Sequence, residues 1–221
     1  MNQLPDVESS YAGEVARKAI HLSSLSIPIV YSLISKSTAL AILVPLTLLF
    51  GLTDAARHYS PAFRRFYHRL FGWLLRPHEK DESARRLTGA TYVLLAATIG
   101  ILVFPKIILI TAFAIMIVSD TVAALVGRKF GKHPFIGKSL EGTFAFFVSA
   151  IAVVALAPKV SYVPAEYIIG IAASLLGAIV EATSIVIDDN ISVTFSIGAA
   201  MWLMYVLFLP TFNVFALVLV R

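Results

Sequence analysis

Residues 119–142 hold the densest chemistry in the chain. Ser119-Asp120-Thr121-Val122-Ala123-Ala124-Leu125-Val126-Gly127-Arg128-Lys129-Phe130-Gly131 is followed, after six residues, by Lys138-Ser139-Leu140-Glu141-Gly142. A carboxylate such as Asp120 inside an apolar run is costly unless it is paired or holds a cation. Carboxylate oxygens, cationic side chains and glycine-thinned backbone together are what a polyanion and its metal require. This grouping predicts phosphate chemistry at a membrane surface. Gly127 and Gly131 bracket Arg128-Lys129-Phe130 and are expected to turn the chain sharply, bringing backbone N–H groups to a ligand. Lys138 and Ser139 open the next helix, whose N-terminus favours anions. Gly131-Lys132-His133-Pro134-Phe135-Ile136-Gly137-Lys138-Ser139 imitates a nucleotide-binding P-loop but has one residue too many between its glycines. It also follows an apolar helix instead of a strand, so a P-loop ATPase is excluded.

More acids lie downstream. Glu181 falls within an apolar run, and Asp188-Asp189-Asn190 ends that run. Glu181 and Asp188 are spaced to share one helical face, while an aspartate of the trio also suits a helix cap. Near the start, Glu14, Arg17, Lys18 and His21 follow helical spacing. A Glu14–Lys18 pair accounts for two of them. His21 lies deeper and is suited to a phosphate or a neighbouring acid. Asp54 and Arg57, one turn apart, are spaced for an ion pair.

These residues need elements to position them. The chain has 221 residues, 58% of them hydrophobic, and a mean hydropathy of +0.85. Apolar runs near 19–35, 37–53, 88–104, 107–126, 140–157, 166–187 and 193–219 are each about long enough to cross a bilayer. The expected fold is all-α: a single polytopic membrane bundle over 1–221, of about seven transmembrane helices, with Pro210 interrupting the last. The polar start, Met1 to Ser10, has no basic region ahead of a short apolar segment, so no cleavable signal is expected. The absence of cysteine excludes disulfides and thiolate metal sites.

The net charge is +5, and its distribution points to topology, not to nucleic acid. Seven spans put Arg17, Lys18, Arg57, Arg64, Arg65, Arg69, Arg76, Lys80, Arg85, Arg86, Arg128, Lys129, Lys132 and Lys138 on one side. Lys36, Lys106, Lys159 and Arg221 remain on the other. The positive-inside rule then makes the motif-bearing face cytoplasmic. Between the second and third spans, Phe63, Phe66, Tyr67, Leu70, Phe71 and Leu74 oppose Arg64, Arg65, His68, Arg69 and Arg76. That pattern predicts an amphipathic helix in the headgroup plane, ended by Pro77. Beyond it, the charged segment 78–86 leads into the third span, with Arg85 and Arg86 suited to headgroup anchoring.

Arg17-Lys18…His21, Ser119-Asp120…Gly127-Arg128…Gly131-Lys132, Lys138-Ser139-Leu140-Glu141-Gly142 and Glu181…Asp188-Asp189-Asn190 resemble the integral-membrane polyprenol kinases. That group includes dolichol kinase, phytol kinase and the fungal CTP-dependent diacylglycerol kinase, and the resemblance covers roughly residues 15–195. It implies phosphoryl transfer from a nucleoside triphosphate, commonly CTP, to a lipid alcohol, with Mg²⁺. On that resemblance Asp120 and Glu141 are expected cation ligands, joined by Asp188 or Asp189. Arg128, Lys132 and Lys138 would hold phosphates, with Arg17, Lys18, His21 and Ser139 as further nucleotide contacts. Gly127 and Gly131 would admit the nucleotide, and Asp120 or Glu181 would take the hydroxyl proton. The central block is shared with phosphatidate cytidylyltransferases, but their Ser-Pro-Lys-Lys-Thr element and later Pro-Gly-His-Gly-Gly segment are missing here. A transporter would place broken helices and acids near the midplane, whereas these acids gather toward one face. The alcohol and the oligomeric state are left open.

Overall fold

The computed structural model describes residues 11–72, 87–183 and 188–215, with backbone alone at 11–14 and 71. The Glu14 side chain, Leu74, Arg76, Pro77 and the charged segment 78–86 lie outside the described residues.

The described chain is a helical membrane bundle with one two-stranded hairpin. Its helices are α1 (Tyr11–Ser23), α2 (Ser26–Leu33), α3 (Lys36–Tyr59), α4 (Pro61–Phe71), α5 (Gly89–Val103), α6 (Lys106–Phe130), α7 (Leu140–Leu156), α8 (Pro164–Thr183) and α9 (Asp189–Phe208). Strands β1 (Pro134–Phe135) and β2 (Lys138–Ser139) form the hairpin between α6 and α7. Helices α3, α6, α8 and α9 are long and apolar enough to cross a membrane, and α5 and α7 are shorter apolar helices.

The first expected span is split. Tight Leu25 N–Leu22 O and Ile27 N–Ser24 O bonds replace the α-helical pattern at the break. Pro28 cannot donate to Ser24, so a continuous ladder is impossible, and Pro28 instead occupies the first turn of α2, where no donor is needed. The last expected span also shortens, with α9 ending at Phe208 two residues before Pro210.

Helix α6 forms the axis of the fold. It packs against α1, α2, α5, α7, α8 and α9, and Ile108, Phe113, Ile115, Met116 and Ile117 along it are fully buried. Helix α3 packs on α5 and α4 at the flank, and leaves Leu46, Leu48, Leu49, Phe50 and Leu52 on the outer surface. In a bilayer such a surface meets lipid at no hydrophobic cost. On α4, Phe63, Arg64, Tyr67 and His68 turn partly inward, while Arg65, Phe66, Arg69 and Leu70 face out. The guanidinium of Arg57 lies 5.6 Å from the Tyr67 ring centre and fastens the inner face by a cation–π contact. The outward stripe thus mixes arginine with apolar side chains, as suits a helix whose charged tips reach headgroups.

Candidate functional site

Three helices deliver three carboxylates to one place. Asp120 comes from α6, Glu181 from the last turns of α8 and Asp189 from the first turn of α9, and one oxygen of each lies within 4.8 Å of the others. The Lys18 ammonium donates to Asp120 Oδ2 at 2.5 Å, and His21 Nε2 lies 3.5 Å from the same oxygen. The Lys138 ammonium donates to Glu181 Oε1 at 2.5 Å and Asp189 Oδ2 at 3.1 Å. Burial works against the charged form of Lys138, but the carboxylates of Asp189 and Glu181 outweigh it and hold the ammonium above the ordinary lysine range. The second oxygen, Glu181 Oε2, is buried without a hydrogen-bond partner among the described residues.

These groups line a cavity of about 550 Å³, whose wall also includes Ala123, Ala124, Gly127, Arg128, Gly137, Ser139, Gly142 and Thr143. Hard oxygen donors from separate elements, one of them an orphaned buried oxygen, fit a hard divalent cation. The cavity is roomy enough for a phosphate chain beside it.

Helices α6 and α7 approach closely along this wall. A Cβ on Gly142 would lie 3.1 Å from the Ala123 carbonyl oxygen and 3.3 Å from the Gly127 Cα, and one on Gly127 would lie 2.9 Å from Ser139 Oγ. The expected glycine turn is therefore corrected. Gly127 continues α6, Gly131 caps it with φ −63°, and neither has positive φ. Their smallness permits close packing. The sharp turn falls instead at Ile136, whose φ of 52° is left-handed, an uncommon conformation for a β-branched residue.

The hairpin is fastened at both ends. At its tip, Gly137 N donates to Ala182 O at 3.2 Å, beside the two Lys138 bonds. At its base, Leu140 N donates to His133 O at 2.9 Å, while His133 N donates to Glu141 Oε2 at 3.3 Å and His133 Nδ1 lies 2.7 Å from Glu141 Oε1. Ser139 caps α7, accepting from Gly142 N at 3.2 Å.

Of the expected site residues, Asp120, Glu181, Asp189, Lys18, Lys138, Arg128, Ser139 and Gly127 meet at the cavity, and His21 adjoins it through Asp120. Glu141 and Asp188, expected as cation ligands, stand apart. Glu141 is engaged with His133, and Asp188 caps α9, accepting from Asn190 N at 3.0 Å and Asn190 Nδ2 at 2.6 Å. Arg17, Gly131 and Lys132 are not in the cavity wall, and Lys132 is exposed. Ala123, Ala124 and Thr143 were not anticipated. The run of small residues at 123, 124 and 127 was the available signal, since small residues mark close helix contacts.

Two buried polar groups serve the frame instead. Asp54 Oδ2 accepts from Thr88 N at 2.7 Å, Thr88 Oγ1 at 3.0 Å and Thr91 Oγ1 at 2.7 Å. With Arg57 3.5 Å from Asp54 Oδ1, it joins α3 to the start of α5. Among the described residues at the opposite end of the bundle, the wholly buried Glu166 accepts from Val160 N at 2.7 Å, Ser161 N at 3.0 Å, Val163 N at 3.2 Å and the Tyr205 hydroxyl at 2.8 Å. Lys159 beside it donates to the Val154 and Ala157 carbonyls at 2.6 and 2.7 Å and lies over the Tyr167 ring. Burial lowers its pKa from the usual lysine value, against the raising influence of Glu166.

No protein-family model matches the chain, and no solved structure does. Over 185 residues, 83% of this chain and 90% of the relative, it is 31% identical to the uncharacterized protein RP860 of Rickettsia prowazekii. Over 101 residues it is 36% identical to the CTP-dependent diacylglycerol kinase 1 of Schizosaccharomyces pombe. That match covers 44% of this chain and 44% of the kinase, so less than half of the lipid kinase is represented.

Proposed function

The chain belongs to the same family as protein RP860 of Rickettsia prowazekii, and with that kinship as a starting point we propose that it is a lipid-alcohol kinase. The reaction is phosphoryl transfer from a nucleoside triphosphate, with CTP preferred, to an isoprenoid or other long-chain alcohol at the cytoplasmic face. The observation that carries this reading is the cavity itself, where Asp120, Glu181 and Asp189 converge with Lys18, Arg128 and Lys138. The partial likeness to a lipid kinase supports the same class, and the one-sided distribution of basic residues supports the assigned face.

Phosphoryl transfer is catalysed by positioning and by neutralising charge on the phosphate oxygens. Asp120, Glu181 and Asp189 would hold Mg²⁺, which supplies that neutralisation when bound. Lys138 and Arg128, both in the cavity wall, would take phosphate oxygens, and Lys18 holds Asp120 in place. The lipid hydroxyl oxygen forms a bond to the γ-phosphorus as the bond to the β,γ-bridging oxygen breaks. The hydroxyl proton passes to a carboxylate, Asp120 or Glu181, whichever of the two serves as base instead of cation ligand, and the nucleoside diphosphate leaves.

The test follows the label. Purified protein with Mg²⁺, a panel of lipid alcohols and γ-labelled CTP should yield labelled phospholipid, and excess chelator should stop it. With α-labelled CTP and phosphatidate in place of the alcohol, incorporation of label into lipid with release of pyrophosphate would replace the kinase with a cytidylyltransferase. Absence of both, with every alcohol and nucleotide tried, would end the reading.

A further inference from the structure

Among the described residues, the charged groups in the cavity wall are three acids, Asp120, Glu181 and Asp189, and three bases, Lys18, Arg128 and Lys138. Lys18 and Lys138 each sit directly on the acids, and between them take one oxygen from every carboxylate of the cluster. Sites that bind a free hard dication tightly do so with an excess of carboxylate charge. Here that excess is cancelled. A dication arriving alone meets two ammonium groups that already sit on the ligand oxygens, and their repulsion opposes it at close range. A triphosphate reverses the balance, because its oxygens attract the same ammonium groups and the same cation.

We infer that Lys18 and Lys138 make the carboxylate cluster accept a divalent cation jointly with a nucleoside triphosphate and not by itself. The inference rests on the phosphotransfer reading and adds the rule by which that site is filled. Cation and nucleotide bind as one unit, and a free cation does not occupy the carboxylates ahead of the nucleotide. Glu181 Oε2, buried and without a hydrogen-bond partner among the described residues, is the oxygen left open for the cation while Oε1 holds Lys138.

The experiment is equilibrium dialysis of radioactive Mn²⁺ against the full-length protein in detergent micelles, with and without CTP and with no lipid acceptor. Wild-type protein should retain Mn²⁺ at least about tenfold more tightly with CTP than without it. Lys138→Met should bind Mn²⁺ alone about tenfold more tightly than wild type and lose most of the gain from CTP. Lys138→Gln, neutral but able to hydrogen-bond the same oxygens, should behave like Lys138→Met. Lys138→Arg, which keeps the charge, should behave like wild type, and helical circular dichroism identifies variants that have kept the fold. Equal Mn²⁺ affinity of wild type with and without CTP overturns the inference, as does unchanged Mn²⁺ affinity in both neutral variants. Failure of the phosphotransfer reading looks different. Then no Mn²⁺ is retained even with CTP, or Glu181→Gln retains as much as wild type, and the inference falls with it.

Discussion

Asp120 and Glu181 could be read from the sequence because a carboxylate within an apolar run needs a reason to be there. Which acids share a site could not be read in the same way. Lys18 and Asp120 are 102 residues apart, and no local spacing reports that meeting. Glu141 shows the limit most clearly, since its motif neighbour Lys138 reaches the cluster while Glu141 turns outward to His133. It positions the hairpin. Glu141→Ala should therefore raise the nucleotide KM by roughly tenfold while leaving the Mg²⁺ concentration for half-activity unchanged. Glu141→Gln, which can still accept from the His133 N–H, should recover much of the loss. A shift in metal dependence in either variant would return Glu141 to the proposed cation ligands. Glu166 gives no signal in the sequence because it sits on the first turn of a helix, where an acid ordinarily needs no explanation. Glu166→Ala leaves three N–H groups and a tyrosine hydroxyl without their acceptor, and should cost about 3 kcal/mol, read as a lower unfolding temperature in detergent.

At the scale of elements, hydropathy located the helices and proline chemistry explains the departures. Pro28 breaks the first span, and the last helix stops just short of Pro210. Pro45 lies inside α3 without ending it, a difference that periodicity alone does not signal. The small residues of α6 and α7 were legible as residues but not in their purpose, because glycine serves both turns and close packing. Here packing decides the geometry of the cavity. Gly142→Leu would drive a side chain against backbone at Ala123 and Gly127, which cannot yield as a flexible side chain does. The expected cost is about 2 kcal/mol, and nucleotide binding should weaken with it as α7 is pushed from α6. A Gly142→Leu protein with wild-type thermal stability and nucleotide affinity would show that the crossing is looser than described.

For the whole molecule, fold class was the most legible property, since a chain this apolar has few ways to satisfy its backbone other than helices. The gathering of Asp120, Glu181 and Asp189 toward one end was legible as well, whereas the polar staple at the other end was not. At one end, Glu166 binds its own loop to α8 and α9 with every bond internal. At the other, the hairpin is attached through ion pairs that a ligand would share.

The saturated Glu166 staple has a consequence for timescale. Local opening follows the least satisfied backbone, so the bundle should breathe from one end only. In deuterated buffer the amides of residues 160–166 should exchange among the slowest of any loop, and those of 131–139 among the fastest. A ligand could then enter the cavity through fluctuations that never reach the far end, which stays closed while the hairpin end opens and closes. Comparable exchange in the two loops would mean that the bundle loosens as a whole.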